Sequence, residues 1–276
     1  MSGEPGVIAR SPGPVTRAGL AAELGRLGVR SGSVLLVHSA LSALGWVCGG
    51  AQTVVEALLD ALGPDGTLVA PSHTGGNSDP AAWGNPPVPE PWWPVIREHM
   101  PPFDPRVTAA HGMGAIAEAV RTWPGARRSA HPQVSFSAVG AHAEAVTAGH
   151  ALKSAFGDAS PVARVHDFDG DVLLLGVGHG SNSSLHLAEH RVADPPREVS
   201  AAAVATPEGR RWVRWEDVVA DESDFEALGA AFDATGATRT GPAGAGEARL
   251  MRQRKLVAFA TEWLAEHRPA RTPAPG

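Results

Sequence analysis

The sequence predicts an α/β fold: a single domain in which a central mixed β-sheet is flanked by helices. Three observations support this prediction. Residues 33–71 follow the order strand, helix, strand, which is the pattern of a βαβ unit. Residues 172–175 form an apolar run of strand length that leads into a glycine-rich turn and a helix start. Residues 198–206 and 210–218 are typical of a hairpin around Pro207-Glu208-Gly209.

The two ends of the chain are assigned outside this domain. Residues 1–15 are rich in proline and glycine and are predicted to form a flexible arm, while residues 269–276 are predicted to fray. The domain itself is predicted to span residues 16–268. Its first helix is expected to begin after the cap residue Thr16 and to end at the glycine that follows Leu27.

The βαβ unit places polar residues where a strand ends. Residues 33–37 are predicted to form a short buried strand that runs directly into His38 and Ser39. Ligands of open α/β sheets bind at the carboxyl ends of the strands, so these two side chains are candidates for a binding site. A helix at residues 51–62 carries one apolar stripe, and residues 67–71 form the next strand.

The remaining segments continue this pattern. Residues 72–105 are rich in proline and tryptophan and lack periodicity. A loop of this length inside a domain is usually functional, so we expect it to cover the ligand site. Ser160, followed by proline, marks another helix start. Further helices are predicted at residues 110–122, 142–148 and 255–267, a strand at 134–139, and a helix capped by the acidic residues 221–224.

Composition and charge exclude several classes of function. The formal net charge of -6 argues against general nucleic-acid binding, which requires a basic surface, and suits a cationic ligand instead. Cys48 is the only cysteine, so no intrachain disulfide can form, which fits a reducing cytoplasm. The sequence shows no signal segment and no apolar run of membrane-spanning length, so neither secretion nor a membrane span is expected.

The chemistry is predicted to lie in residues 171–190. Three glycines follow the buried strand and allow a sharp turn or the close approach of a ligand. A helix then begins, with Ser181 or Asn182 as its cap. His186 and Glu189 are three residues apart and share one face of this helix, where the carboxylate can orient the imidazole as in a general base.

The sequence of residues 171–190, together with Cys48, also allows other interpretations. The third glycine comes one residue early for a dinucleotide fingerprint, and the next strand does not end in the required acid. His186, Glu189 and His190 match the H-x-x-E-H zinc pattern, with Glu262 available as a further ligand, so a metal-dependent hydrolase is one alternative. Cys48 could supply a nucleophile, although a lone cysteine is more often a small buried residue. A non-catalytic small-molecule binding protein is a third alternative.

The chain holds twelve histidines, which are too many all to be catalytic. His38, His131 and His186 differ from most of the others because each adjoins a strand end or a glycine-rich turn. These three are interpreted as functional candidates. Surface or packing roles are predicted for His99, His111, His142, His150, His166 and His267.

Four separated sequence blocks, taken together, resemble one known family. They are Leu-Leu-Val-His-Ser-Ala-Leu at 35–41 with Gly-Gly-Ala at 49–51, Arg-Arg-Ser-Ala-His-Pro at 127–132, Ser-Pro-Val-Ala-Arg at 160–164, and Leu-Leu-Leu-Gly at 173–176 with Leu-His-Leu-Ala-Glu at 185–189. Their order and spacing are similar to those of the aminoglycoside 3-N-acetyltransferases over roughly residues 16–195. The resemblance implies the antibiotic N-acetyltransferase fold, which is distinct from the GNAT fold.

The resemblance also implies a reaction and a set of site residues. The acetyl group of acetyl-CoA would pass to the 3-amino group of a 2-deoxystreptamine aminoglycoside, which confers antibiotic resistance; no metal is expected. His186 and Glu189 would form the catalytic pair, with Ser184 as the hydroxyl residue two positions before the histidine. Contacts with CoA are implied for His38, Ser39, Arg128, Ser129 and His131.

A polyamine substrate carries several positive charges, so its cleft requires carboxylates. The segment after Ser72 and the absence of tyrosine depart from the family's resistance enzymes, which leaves the particular aminoglycoside, or another amine, open. Direct transfer in a ternary complex is predicted, because no nucleophile other than Cys48 stands out. The candidate substrate-binding acids are Asp79, Glu90, Asp221, Glu222 and Asp224.

Overall fold

A seven-stranded mixed sheet lies at the centre of the computed structural model, which describes residues 4–268. A separate two-stranded hairpin, β6 and β7, lies outside that sheet. The strands are β1 (Val34–Ser39), β2 (Thr67–Pro71), β3 (Arg127–Arg128), β4 (Phe136–Gly140), β5 (Asp171–Leu175), β6 (Arg197–Thr206), β7 (Gly209–Val218), β8 (Arg239–Ala243) and β9 (Gly246–Arg252).

The order of strands brings three carboxyl ends to one edge of the sheet. That order is β3-β4-β2-β1-β5-β9-β8, and β1 lies between two parallel neighbours, β2 and β5. All other pairs in the sheet are antiparallel. The predicted single domain with a central mixed sheet is confirmed, and the ends of β1, β2 and β5 form the edge at which an open α/β sheet binds ligands.

Helices cover both faces of the sheet. Alternate residues of β1 point to opposite faces, so Leu35 and Val37 pack into one core while Val34 and Leu36 pack into the other. Burial of each such side chain contributes about 1.5–3 kcal/mol. The helices are α1 (Glu4–Arg10), α2 (Arg17–Leu27), α3 (Gly50–Leu62), α4 (Trp93–His99), α5 (Gly114–Arg121), α6 (Ala143–Thr147), α7 (Pro161–Asp167), α8 (Ser184–Arg191), α9 (Phe225–Ala234) and α10 (Gln253–His267).

Local signals in the sequence placed several of these elements well. The hydroxyl of Thr16 accepts a hydrogen bond from the Gly19 amide at 3.2 Å and starts α2, and the hydroxyl of Ser160 caps α7 in the same way. Strand β2 has the bounds that its sequence predicts. Within residues 4–268, every helix is too short or too polar to cross a bilayer.

Other segments differ from the predictions. The expected N-terminal arm contains α1, and Ser11 of that segment accepts a hydrogen bond from the Trp46 amide, so this part of residues 1–15 has regular structure. Strands β8 and β9, which complete one side of the sheet, were not predicted. The predicted frayed segment 269–276 lies outside the described residues.

The long loop after β2 is held by the hairpin. The Phe103 amide donates to the carbonyl oxygen of Ala203 on β6 at 3.1 Å, and Arg210 on β7 donates to the Met100 carbonyl oxygen at 2.6 Å. The loop therefore packs on a structure outside the main sheet. Its first residues, Ser72 and His73, remain at the sheet edge.

Candidate active site

The turn between β5 and α8 places the start of that helix at the carboxyl ends of the parallel strands. Gly176 adopts a positive φ of 73°, and a Cβ at this position would lie 2.6 Å from the Cβ of Ala43, so glycine is required there. The side chain of Asn182 then accepts a hydrogen bond from the Ser184 amide at 3.1 Å. Neither of the two caps that the sequence offers, Ser181 and Asn182, is the N-cap of α8, which is Ser183 and has no side-chain cap bond.

His186 and Glu189 form a hydrogen-bonded pair on α8. His186 Nδ1 lies 2.6 Å from Glu189 Oε2, and the two side chains are 12% and 4% exposed. Because Nδ1 donates to the carboxylate, the neutral imidazole carries its lone pair on Nε2. The ring stacks on Phe156 at a centroid distance of 4.4 Å and is tilted against Phe225 at 4.7 Å. The imidazole is thus held in one orientation.

The second carboxylate oxygen of Glu189 is also bonded. Arg268 Nη1 donates to Oε1 at 2.5 Å, and the Asp221 amide donates to the same oxygen at 3.2 Å. The Arg268 guanidinium bonds in addition to both carboxylate oxygens of Asp224. These bonds raise the pKa of Arg268, although burial acts in the opposite direction.

Two further histidines approach His186 from the ends of β1 and β2. His38 is buried, its Nε2 accepts a hydrogen bond from the Ser183 amide at 3.3 Å, and burial lowers its pKa to about 3 with a smaller effect from His186. Burial also lowers the pKa of His73 to about 3. Both imidazoles are therefore neutral at physiological pH.

Sequence reasoning missed His73. Its ring lies edge-on to Phe136 and to Phe156, the residue that stacks on His186. Its Nε2 is buried and has no hydrogen-bond partner among the residues described. The available signal was its position just after β2, which corresponds to the position of His38 at the end of β1.

An open cavity of about 690 Å³ begins at the residue that follows His38. Ser39 lines it directly after His38, and Ser181 lines it two residues before Ser183. The cavity is also lined by Gly50 and Gly114, the first residues of α3 and α5. Its volume lies in the range of small-molecule sites, and two helix N-termini at its wall suit negatively charged ligand groups.

Comparison with known proteins decides the family. A model of the family described as aminoglycoside 3-N-acetyltransferase matches residues 36–265. The chain belongs to this family. It is 38% identical over 253 residues to YokD of Bacillus subtilis, an SPbeta prophage-derived aminoglycoside N(3')-acetyltransferase-like protein, with 91% of this chain and 93% of YokD covered. It is 38% identical over 277 residues to aminoglycoside N(3)-acetyltransferase VIII of Streptomyces fradiae, with 94% of each chain covered.

Solved structures support the same family and fold. The crystal structure of YokD from Bacillus subtilis matches with a TM-score of 0.92 and 36% identity, covering 95% of this chain and 97% of that one. The structure of AAC-IIIb as a binary complex with CoASH matches with a TM-score of 0.83 and 33% identity, covering 95% and 100%. The predicted fold and the predicted membership of an acetyltransferase family are confirmed.

Besides His38, three of the residues predicted to contact CoA are bonded within this acetyltransferase. The Arg128 guanidinium binds Ser135 Oγ at 3.0 Å and the Ser72 carbonyl oxygen at 2.7 Å. The Ser129 hydroxyl lies 2.9 Å from His150 Nδ1, and His131 Nδ1 accepts from two backbone amides. Ser129 and His131 are each 1% exposed. Of the five residues predicted for CoA, Ser39 is the one that lines the large cavity.

The Ser184 hydroxyl is engaged inside the protein. Ser184 is fully buried, and its Oγ accepts a hydrogen bond from Gln253 Nε2 at 2.9 Å. Gln253 also donates to the Val162 carbonyl oxygen, so it ties α8 to α7 and α10. This placement gives Ser184 a packing role, and the geometry gives no support to its predicted part in catalysis.

The predicted substrate-binding acids separate into two groups. Asp221, Glu222 and Asp224 lie just before α9, next to Glu189, and the first two are exposed. Asp79 and Glu90 lie on the long loop, where Asp79 pairs with Arg97 at 2.6 Å. Asp224 is likewise paired with Arg268, so one acid of each group is already neutralised by an arginine.

The alternative based on a metal is not supported. His190 Nε2 lies 4.0 Å from Asp217, and both carboxylate oxygens of Glu189 are hydrogen-bonded, one to His186 and one to Arg268. The residues of the H-x-x-E-H pattern therefore do not point to a common metal position. No group of side chains in residues 4–268 has a metal-binding arrangement. Cys48 is exposed, which corrects the expectation that it is a buried packing residue.

Proposed function

We propose that the enzyme transfers an acetyl group from acetyl-CoA to the 3-amino group of a 2-deoxystreptamine aminoglycoside, which would confer antibiotic resistance. The observation that carries the proposal is the His186 to Glu189 pair, whose 2.6 Å hydrogen bond leaves imidazole Nε2 available on a fixed ring. The family and the CoASH complex of AAC-IIIb support the reaction class.

His186 serves as the general base. An amine is protonated at neutral pH and must lose a proton before its lone pair can attack a carbonyl carbon, and Nε2 accepts that proton. Glu189 keeps the other proton on Nδ1 and stabilises the imidazolium that forms. Acetyl-CoA supplies the thioester, and transfer ends with an amide on the acceptor and a free thiol on CoA.

The large cavity is the proposed site for CoA. Its volume of about 690 Å³ suits a ligand of this kind, and the N-termini of α3 and α5 provide amides for the phosphate groups. Ser39 lines this cavity and directly follows His38, and its hydroxyl is the proposed hydrogen-bond donor to the developing oxyanion. We also propose a cytoplasmic location for the reaction, because a single cysteine fits a reducing compartment.

The carboxylates before α9 are the proposed contacts for the cationic acceptor. Asp221 and Glu222 are exposed and lie beside the catalytic pair, so they can attract a polyamine to the position at which Nε2 acts. Direct transfer in a ternary complex remains our proposal. The exposed thiol of Cys48 lies on the turn before α3, and the reaction needs no covalent step there.

Thiol release from acetyl-CoA tests this function. The assay uses aminoglycosides with and without a free 3-amino group, with wild type, His186→Ala and Glu189→Gln. His99→Ala is the matched control, because the side chain of His99 is 70% exposed. Turnover confined to 3-amino substrates and lost in the first two variants is expected.

Two outcomes of the thiol assay would count against the proposed function. Binding of CoA and the antibiotic without thiol release would favour a binding protein. Full activity of His186→Ala would remove the proposed base.

A further inference from the structure

Arg268, directly after α10, reaches the reaction centre through the carboxylate oxygen that His186 does not use. Its Nη1 lies 2.5 Å from Glu189 Oε1. We propose that Arg268 is a positioning residue for acetyl transfer, which locks the Glu189 carboxylate and limits how strongly that carboxylate holds a proton on His186. This inference rests on the proposed function.

Arg268 fixes the orientation of the Glu189 carboxylate. Glu189 is 4% exposed, and its two oxygens have three partners: His186 Nδ1, Arg268 Nη1 and the Asp221 amide. Without the guanidinium, a single weaker amide bond at 3.2 Å would hold Oε1. A carboxylate held by that bond alone could rotate together with the imidazole that is bonded to Oε2, and the direction of Nε2 would no longer be fixed.

The Arg268 guanidinium is itself held in place by other contacts. Its Nε and Nη2 donate to the Asp224 carboxylate at 2.7 and 2.5 Å, and its guanidinium carbon lies 5.9 Å from the centre of the Phe225 ring. That ring contacts His186. One side chain thus bridges the acid of the catalytic pair, a neighbouring acid and an aromatic wall of the base.

The charge of Arg268 also acts on the catalytic pair. A general base must be unprotonated before it acts, but a lone buried carboxylate stabilises the imidazolium form of a histidine that it binds. The positive charge on Arg268 opposes that effect, because it shares the Glu189 carboxylate and also repels a proton on the imidazole. The other ionisable groups around His186 are His190 on α8, His38 on β1, His73 after β2, Asp224 before α9 and, through His190, Asp217 on β7.

Arg254 provides a matched control on the same helix. It is exposed, and it donates to the carbonyl oxygens of His166 and Asp167 at 2.9 and 2.7 Å. Both arginines make fixed hydrogen bonds near the ends of α10. Of the two, Arg268 is the one that contacts the catalytic pair.

The test compares Arg268→Gln, Arg268→Lys and Arg254→Gln with wild type. The imidazole pKa of His186 is measured by NMR on protein with ¹⁵N-labelled histidine, and kcat/KM is measured against pH. In Arg268→Gln we expect the pKa of His186 to rise by about one unit, and the midpoint of the acidic limb of the kcat/KM profile to move by the same amount. The same variant should have a kcat that is lower by about tenfold or more. Arg268→Lys should show a smaller rise, because an ammonium cannot bridge both carboxylates. Arg254→Gln should show none.

An unchanged His186 pKa in Arg268→Gln would overturn the proposal, even if thermal stability fell, because stability alone would then explain any lost activity. If that variant does not fold, an unchanged pKa in Arg268→Lys has the same meaning. The NMR measurement needs no turnover. A His186 pKa that rises in an enzyme inactive toward every aminoglycoside would therefore retain the positioning role while the proposed function fails.

Discussion

Two histidines in the stretch 171–190 each contact a carboxylate, yet their surroundings differ. His186 lies 2.6 Å from Glu189, three residues along the same helix. His179, in the turn before that helix, lies 3.2 Å from both oxygens of Asp233, on α9. The first pair is local in sequence and the second joins distant segments. Both would satisfy a simple search for a histidine paired with an acid.

The second ring nitrogen separates the two pairs. His186 is 12% exposed, and the geometry leaves its Nε2 available for a substrate. His179 is 3% exposed, and its Nδ1 is buried without a partner in the described chain. Its ring fits against Gly229 so closely that a Cβ there would lie 2.0 Å from the imidazole Cγ. An accessible second nitrogen, rather than a nearby acid, therefore marks the catalytic candidate.

Substitution of the two histidines should give the largest contrast. His186→Ala is expected to lower kcat/KM by about 10²–10⁴, because general-base catalysis is lost. His179→Gln should retain turnover per folded molecule while losing thermal stability. Steady-state kinetics normalised to CoA-binding sites measure both effects. Equal catalytic losses in the two variants would contradict the distinction.

Gly229→Ala should destabilise the protein without changing its chemistry. The new methyl group overlaps the His179 ring, and overpacking of this kind costs about 1–3 kcal/mol. Gly25→Ala on α2 is the control, because nothing lies within 4 Å of its Cβ position and alanine favours a helix. Urea unfolding should show a lower midpoint for the first variant and an unchanged or higher midpoint for the second. A neutral Gly229→Ala would show that His179 is loosely packed.

Acid should destabilise the fold through buried neutral histidines away from the proposed base. Burial lowers the pKa of His150 to about 3 and that of His131 to about 4. Between about pH 6.5 and pH 4, these histidines bind protons in the unfolded chain, where their pKa is near 6.5, but stay neutral in the folded chain. Their contribution to stability is therefore fully present above pH 6.5 and is lost as the pH falls toward 4. Each such histidine contributes a slope of about 1.4 kcal/mol per pH unit.

His150→Gln tests this source of acid sensitivity. The free energy of unfolding is measured in urea between pH 7 and pH 5. Its slope against pH should be smaller in His150→Gln than in wild type, by about the contribution of one histidine. His99→Gln, at an exposed position, should leave the slope unchanged. An unaltered slope in His150→Gln would show that other groups control acid stability.

Cys48→Ser is expected to have the smallest effect. The thiol is exposed, and direct transfer gives it no covalent role. The same thiol-release assay should give kcat and KM within about twofold of wild type. A variant that still binds both substrates but has lost turnover would replace direct transfer with an acyl-enzyme mechanism.

Features encoded by neighbouring residues were predictable from the sequence. Thr16 and Ser160 cap helices through side-chain bonds to amides three residues away. His186 and Glu189 meet because a helix turns once in 3.6 residues. These relations depend on spacing alone and need no knowledge of tertiary contacts.

Features that depend on distant packing were not predictable. Arg268 bonds to an acid in another helix, and His73 reaches the site because β2 lies beside β1. Strand β8 contains Gly241 and Pro242, which disfavour a strand prediction, and it forms because β9 pairs with it at the sheet edge. His131 adjoins a strand end as predicted, but it is buried against His150 and against Trp215 of the hairpin, and only the fold provides these contacts.

The wide sequence separation between His38 and Arg268 has a consequence for refolding. The site is complete only when β1 and the end of α10 have both joined α8, and contacts between such distant segments form slowly because the intervening chain must first be ordered. Recovery of catalysis after dilution from denaturant should therefore follow the slowest phase of compaction rather than the return of helix content. Enzyme activity would report the docking of the two ends of the chain.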